Sequence, residues 1–193
     1  MNYEYDAFFS YKRHTLTNDW HETVRQKLAF YTGMELGLGR DASIFLDRED
    51  IQTGDVWLNR LSGALQRSKC VVCILTPNYF QSTYCVSELN AFIERSAQTG
   101  ASLVVSASGF DGDNFPSEFK SAWQYADFTK YLNTAPAFWA SLKAGEFDDV
   151  LKDFAKDLAD KIRNAPVFSD QFPVTLHVVQ PKPIPVPRPA DVV

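Results

Sequence analysis

The sequence is short of cysteine and histidine, has no excess of basic charge and contains no long apolar run, and each shortage removes a class of function. Its three cysteines, Cys70, Cys73 and Cys85, are an odd number that makes no disulfide framework, which fits a reducing compartment. Cys70 and Cys73 form a C-x-x-C, but they fall in the run 70–75, where strand side chains three apart point to opposite faces. They cannot share a metal, and the sequence holds no second ligand pair to complete a zinc site. His14, His21 and His177 stand apart from any carboxylate or cysteine at ligand spacing, so neither a metal centre nor an ordered Ser-His-Asp triad can be built. A net charge of −5 lacks the basic footprint that nucleic-acid phosphates demand, which argues against nucleic acid as a partner. No apolar stretch reaches the ~20 residues of a spanning helix, and positions 1–9 enter a strand-like run without the basic flank and apolar core of a leader. A cytoplasmic protein with no membrane partner is expected.

What is present suffices for a folded core: 45% of the 193 residues are hydrophobic and 22% charged. Short strand-like runs at 5–11, 43–46, 69–76 and 101–107, with a weaker one at 124–129, alternate with stretches of helical period. The helices are expected at 19–34, 56–66, 83–97 and 147–163, the last with Phe147, Val150, Leu151, Phe154, Leu158 and Ile162 at i, i+3 and i+4 spacing. This alternation predicts an α/β fold, a five-stranded parallel sheet with helices on both faces. The segments 109–121 and 131–145 read as irregular connections, with a short helix near 138–142. Composition changes after Pro166, and proline at every second position over 181–189 dictates extended backbone. The expected organisation is a domain over 1–165 and an extended proline-rich tail or linker over 166–193.

Gly37, Gly39 and Ala42 match G-x-G-x-x-A, yet they follow a helix and precede a strand, the reverse of a dinucleotide fingerprint, so they are expected to end the helix. Ligands of open α/β sheets bind beyond the carboxyl ends of the strands. Three polar clusters stand there: Ser10, Tyr11, Lys12 and Arg13 after the first strand; Asp47 and the loop that follows, with Trp57 behind it, after the second; Tyr84, Cys85 and Glu88 on the helix after the third. A phosphoacceptor receiver on such a sheet needs acidic residues at the end of the first strand, where Ser10 and Lys12 stand instead. On the helix over 83–97, Cys85, Val86, Leu89, Phe92 and Ile93 make the expected buried stripe. Glu88 falls on its shoulder, one turn after Tyr84, as a partly exposed residue at the lip of the crevice.

These residues carry a resemblance. Positions 5–11 with Lys12 and Arg13 resemble the first box of TIR (Toll/interleukin-1 receptor) domains, and Phe45, Leu46, Asp47, Arg48 and Glu49 followed by Gly54 resemble their second box and BB loop. Tyr84-Cys85-Val86-Ser87-Glu88-Leu89 is similar to the W-C-x-x-E-L segment of enzymatic TIR domains, with tyrosine where tryptophan is usual. The resemblance spans about 1–165 and implies a flavodoxin-like five-stranded sheet. It also implies cleavage of NAD⁺ to nicotinamide and ADP-ribose or a cyclic isomer, as in stand-alone bacterial TIR proteins of antiphage defence. Glu88 takes the place of the catalytic glutamate, and Phe9, Ser10 and Arg13 fall at ligand-contacting positions. The alternative within the family is a non-enzymatic adaptor acting by homotypic association.

The chemistry fits a single carboxylate. Ordinary glycosidases need an acid for a poor leaving group and a second carboxylate. The nicotinamide of NAD⁺ already carries positive charge and leaves neutral, so the remaining task is to stabilise an oxocarbenium-like ribose. NAD⁺ is then substrate, and no cofactor is expected. Lys12 or Arg13 can meet the pyrophosphate, Phe9, Trp57 or Tyr84 can offer an aromatic surface, and Asp47 joins this substrate-binding group. Water attacking the ribosyl cation gives ADP-ribose, whereas an internal nucleophile gives a cyclic isomer. Arg48, Glu49, Asp50, Gly54 and Asp55 form a polar loop suited to docking on another TIR domain, and the tail could join a sensor or effector partner.

Overall fold

The structure, a computed structural model, describes residues 2–47, 55–117, 119, 124–174 and 176, with backbone alone at 55 and 56. Strand β1 (Tyr5–Tyr11) buries every residue between its two ends, the unbroken run of a strand covered on both faces. Strand β3 (Ser68–Leu75) is buried almost throughout in the same way and pairs with it in parallel from Tyr5↔Ser68 to Tyr11↔Ile74. Strand β2 (Ile44–Phe45) lies on the other side of β1, and β4 (Val104–Ser108) and β5 (Ala126–Asp127) continue beyond β3. All pairs are parallel and the order is β2-β1-β3-β4-β5, the flavodoxin-like arrangement. The expected strands at 43–46, 101–107 and 124–129 shorten because only these residues find register with a neighbour.

Helices α1 (Asn18–Leu36), α2 (Asp55–Gln66), the single-turn α3 (Pro77–Phe80), α4 (Thr83–Thr99) and α5 (Leu142–Arg163) connect and cover the strands, with a 3-10 turn at Pro136–Ala140. Helix α5 starts five residues before its apolar pattern does, since Leu142 is 93% exposed and Gly145 has no side chain to show a stripe. Helices α1 and α5 pack together around Phe147, whose ring stacks on Tyr131 at 4.6 Å and Trp20 at 5.8 Å and meets Phe128 edge-on at 5.0 Å. Phe138 joins this core as a packing residue. Gly37 ends α1 at φ 65°, a left-handed conformation that glycine adopts without strain, while Leu38 N–H bonds the Gly33 carbonyl. The G-x-G-x-x-A run is thus a helix terminator. Among the described residues no helix is long and apolar enough to cross a membrane.

Two features were not legible beforehand. His21 is only 2% exposed, with Nδ1 2.7 Å from the Thr17 carbonyl, and burial pushes its pKa down to about 4. The packed unit also runs past the boundary expected at 165. Tyr3 Oη donates to the Pro166 carbonyl at 2.9 Å, Gln66 Nε2 donates to the Asp170 carbonyl at 2.7 Å, and Phe172 is buried. This strap crosses beneath the amino ends of the strands and covers Arg95 of α4, which is 0% exposed. Arg95 is held between the rings of Phe92 and Phe172, 4.6 and 4.3 Å away, and donates to the carbonyls of Ser68 at 2.8 Å and Leu65 at 3.1 Å. Burial lowers its pKa to about 10. The proline-rich run 181–189 and His177 lie outside the described residues.

The arrangement predicts that Arg95→Ala costs on the order of 2–4 kcal/mol in urea unfolding, since it empties a buried site and strands two carbonyls. Phe172→Ala should couple to it by about 0.5–2 kcal/mol in a double-mutant cycle. Additive effects would show that the strap does not bear on Arg95.

Candidate active site

The three clusters expected beyond the strands meet at the carboxyl ends of β1 and β2 and the first turns of α4. Thr76 accepts from Tyr79 N–H at 3.1 Å and Pro77 occupies the first position of α3, so the chain turns sharply after β3. Ser82 Oγ then caps α4 by accepting from Cys85 N–H at 3.5 Å. This places Tyr84, Cys85 and Glu88 against the end of β1. A cavity of about 140 Å³ opens between them, and its walls include Lys12, Arg13, Asp47, Trp57, Tyr84 and Glu88.

Glu88 lies at the polar end of this space. Its position corrects the expectation of a partly exposed residue: only 8% of its surface is accessible, and Ser10 Oγ donates to its Oε2 at 2.6 Å. The buried face of α4 is rotated from the expected stripe, with Glu88 and Arg95 inside and Val86 and Ile93 only half buried. Burial raises the Glu88 pKa to about 8, against the lowering effects of the Ser10 hydrogen bond and the Arg13 charge, while Asp47 adds to the rise.

Asp47 organises the mouth. Its carboxylate receives Arg13 Nη2 at 2.9 Å, Trp57 Nε1 at 2.8 Å and Arg60 Nη2 at 2.7 Å. Arg13 and Asp47, both read from the sequence as substrate contacts, therefore hold each other, and Lys12 remains exposed at the rim. Trp57 meets Tyr84 edge-on at 5.3 Å and forms the cavity's aromatic wall with it. Phe9 borders the cavity, but its ring is core, packed near Tyr11 at 5.8 Å and His21 at 6.5 Å.

Sequence reasoning missed Arg60 and Tyr79. Arg60 stands 13 residues from Asp47, beyond any local pattern. Tyr79 sits in what reads as a short connection, although Thr76-Pro77 is a helix-start signal. Of the expected docking loop, Arg48, Glu49, Asp50 and Gly54 lie outside the described residues, and Asp55 enters only as the first residue of α2. Among the described residues no group of three or more His, Cys, Asp or Glu side chains could hold a metal ion.

A family model described as TIR domain matches residues 8–142, which include every residue lining the cavity. No curated protein sequence matches the chain. Among solved structures, it is similar to the TIR domain of the Toll-related receptor TRR-2 from the lower metazoan Hydra magnipapillata. That pair shares 17% identity over 76% of this chain and 98% of the other, with a TM-score of 0.44. It is also similar to the TIR domains of the activated Roq1 resistosome, with 20% identity over 81% of this chain and 84% of the other and a TM-score of 0.42. The family model covers well over half of the sequence and its match begins inside β1 of the parallel sheet: this chain belongs to the TIR domain family.

Proposed function

We propose that this chain is an NAD⁺ nucleosidase that breaks the nicotinamide–ribose bond with Glu88 as the catalytic carboxylate. The observation that carries the reading is a buried glutamate, bound by Ser10, facing a cavity beyond the carboxyl ends of parallel strands. The nicotinamide ring leaves neutral, so no acid has to protonate it. An ionised Glu88 beside the ribose opposes the positive charge that develops on the sugar, and its low-dielectric surroundings strengthen that interaction. Trp57 and Tyr84 offer the wall for a flat ring, and Lys12 at the rim suits the pyrophosphate. The burial of Glu88 disfavours the adaptor alternative, in which that residue is a surface charge. Placing the reaction in prokaryotic antiphage defence, with NAD⁺ loss or a nucleotide product as output, rests on the resemblance alone.

A cavity of about 140 Å³ is smaller than the roughly 300–1,000 Å³ of a site for a whole small molecule. It takes the reacting end of the dinucleotide and leaves the remainder across the mouth. A second copy docking through the loop of Arg48, Glu49, Asp50, Gly54 and Asp55 would complete the enclosure.

Glu88→Gln is expected to abolish nicotinamide release from NAD⁺ in a folded protein; normal turnover would sink the assignment. The same variant should gain stability at alkaline pH. A carboxyl raised to about 8 from its ordinary 4.5 favours folding fully below pH 4.5, and that contribution is lost as pH rises through 8. Thermal unfolding should therefore show the two proteins alike at pH 4 and the glutamine variant more stable at pH 9, by a few kcal/mol.

Because the ionised form acts, kcat/KM for NAD⁺ should climb with pH through a midpoint of about 8 and fall away below it. A profile flat from pH 6 to 9 would remove Glu88 from the rate-determining chemistry. Nicotinamide release should rise faster than linearly with protein concentration and drop in Asp50→Lys or Gly54→Pro. Flat specific activity on dilution would mean the site is complete within one chain.

A further inference from the structure

Beneath Glu88 lies a residue that the proposed reaction leaves unused. Tyr79 of α3 is 0% exposed, and its hydroxyl lies 2.8 Å from Ser10 Oγ, 3.0 Å from the Cys85 carbonyl and 3.4 Å from Cys73 Sγ. Ser10 Oγ is in turn 2.6 Å from Glu88 Oε2. Each hydroxyl has one proton to give and lone pairs to receive. The chain therefore has two coherent arrangements. With Glu88 ionised, Tyr79 donates to Ser10 and Ser10 donates to Glu88. With Glu88 protonated, Glu88 donates to Ser10, Ser10 to Tyr79, and Tyr79 to the Cys85 carbonyl. Every O–H in the chain has an acceptor in both, and no heavy atom needs to move between them.

We propose that Tyr79 is a positioning residue for Glu88: through Ser10 it forms a reversible hydrogen-bond relay that lets the buried carboxyl gain and lose a proton without stranding a polar group. Its place in catalysis rests on the NAD⁺-cleaving reading. In hydrolysis the ribose–nicotinamide bond breaks with its electron pair going to nicotinamide, and the oxygen of a water bonds to the ribose carbon. One proton of that water passes to Glu88 Oε2 as both hydroxyls reverse. Glu88 later releases it to solvent, so NAD⁺ and water give nicotinamide, ADP-ribose and one proton.

Other charged and titratable groups face Glu88 from the elements around it. Arg13 and Lys12 stand after β1 and Asp47 after β2, with Arg13 and Asp47 paired at 2.9 Å. Burial pushes the thiol of Cys85, on α4 itself, up to about 12, and drives those of Cys73 on β3 and the Tyr79 phenol well upward, so all three stay protonated.

Removing the Tyr79 hydroxyl has two opposed effects. Ser10 becomes a weaker donor to the carboxylate through lost cooperativity, about 10–30% of one hydrogen bond. In the protonated state, however, the Ser10 proton loses its acceptor, and an orphaned buried donor costs more than an ordinary hydrogen bond is worth. The second effect wins. Tyr79→Phe should lower the midpoint of Glu88 by about one pH unit. Ser10→Ala should raise it, because the carboxylate loses its donor.

The test is a carbon-13 NMR titration of the full chain without NAD⁺, labelled at glutamate and tyrosine, with the Glu88 carboxyl identified by its loss in Glu88→Gln. Opposite displacements in Tyr79→Phe and Ser10→Ala, with the pH dependence of kcat/KM following each, are expected. Displacement in the same direction, or a midpoint unmoved by Tyr79→Phe, would overturn the relay. A readout in the unaltered protein stands beside these should Tyr79→Phe fail to fold: the Tyr79 ring carbon bearing the hydroxyl must titrate with the Glu88 midpoint, and a flat signal overturns the proposal. A relay observed in a protein that releases no nicotinamide would defeat the NAD⁺ reading instead, and NAD⁺ cleavage with a flat Tyr79 signal would defeat the relay alone.

Discussion

Helix α4 turns a carboxylate and a guanidinium toward the interior on one face, and much of the molecule is arranged to accommodate them. Glu88 and Arg95 are seven residues apart, about 10 Å along the axis, too far to neutralise each other. Each finds its partners separately, although Arg95 Nε has none among the described residues. Glu88 receives the hydroxyl of Ser10 from the end of β1, whereas Arg95 gives its protons to carbonyls at the end of α2 and the start of β3 and is roofed by Phe172. A buried charge without such partners would cost several kcal/mol, so these contacts fix how α4 lies on the sheet. The same constraint explains why the chain continues past α5: without the strap, the underside of Arg95 would face water.

The two ends of α4 face different electrostatic demands. Arg95 can keep its charge at neutral pH because its usual pKa leaves room for a fall. Glu88 has no such margin, and burial carries it to the edge of ionisation. A carboxyl in that state is poorly suited to holding a fold together and well suited to answering a positive charge brought by a ligand, since the medium that penalises it alone also magnifies its attraction for a cation. The Arg13–Asp47–Arg60 cluster at the mouth is different in kind, because its charges are more accessible to water and one carboxylate holds both cations.

Much of this was legible in the sequence, for identifiable reasons. Strands β1 and β3 stood out because a strand buried on both faces writes an unbroken apolar run, and α5 because most of its buried stripe is purely apolar. The position of Glu88 on the helix after β3 followed from motif order. Its depth did not. Apolar periodicity assigns charged side chains to the solvent side, so it turned the inner face of α4 toward Val86 and Ile93 and away from Glu88 and Arg95. Only partners from other elements, Ser10 and the carbonyls of Leu65 and Ser68, reverse that assignment, and none is near in sequence. The contact between Asp47 and Trp57 was equally hidden. Each reads from the sequence as a group facing a ligand, and their mutual hydrogen bond, which spans ten residues, shows only in the fold. Tyr79 escaped because its contacts depend on where a one-turn helix aims a ring.

The strap separates the two poles of the molecule. The cavity opens beyond the carboxyl ends of the strands, while Pro166, Asp170 and Phe172 lie beneath the amino ends, against Tyr3, Gln66 and Arg95. The strap thus lies at the end opposite the mouth. A bulky label on Val167, exposed on the strap, stands a full strand length away from the entrance, whereas one on Lys12, at the rim, would stand in the doorway.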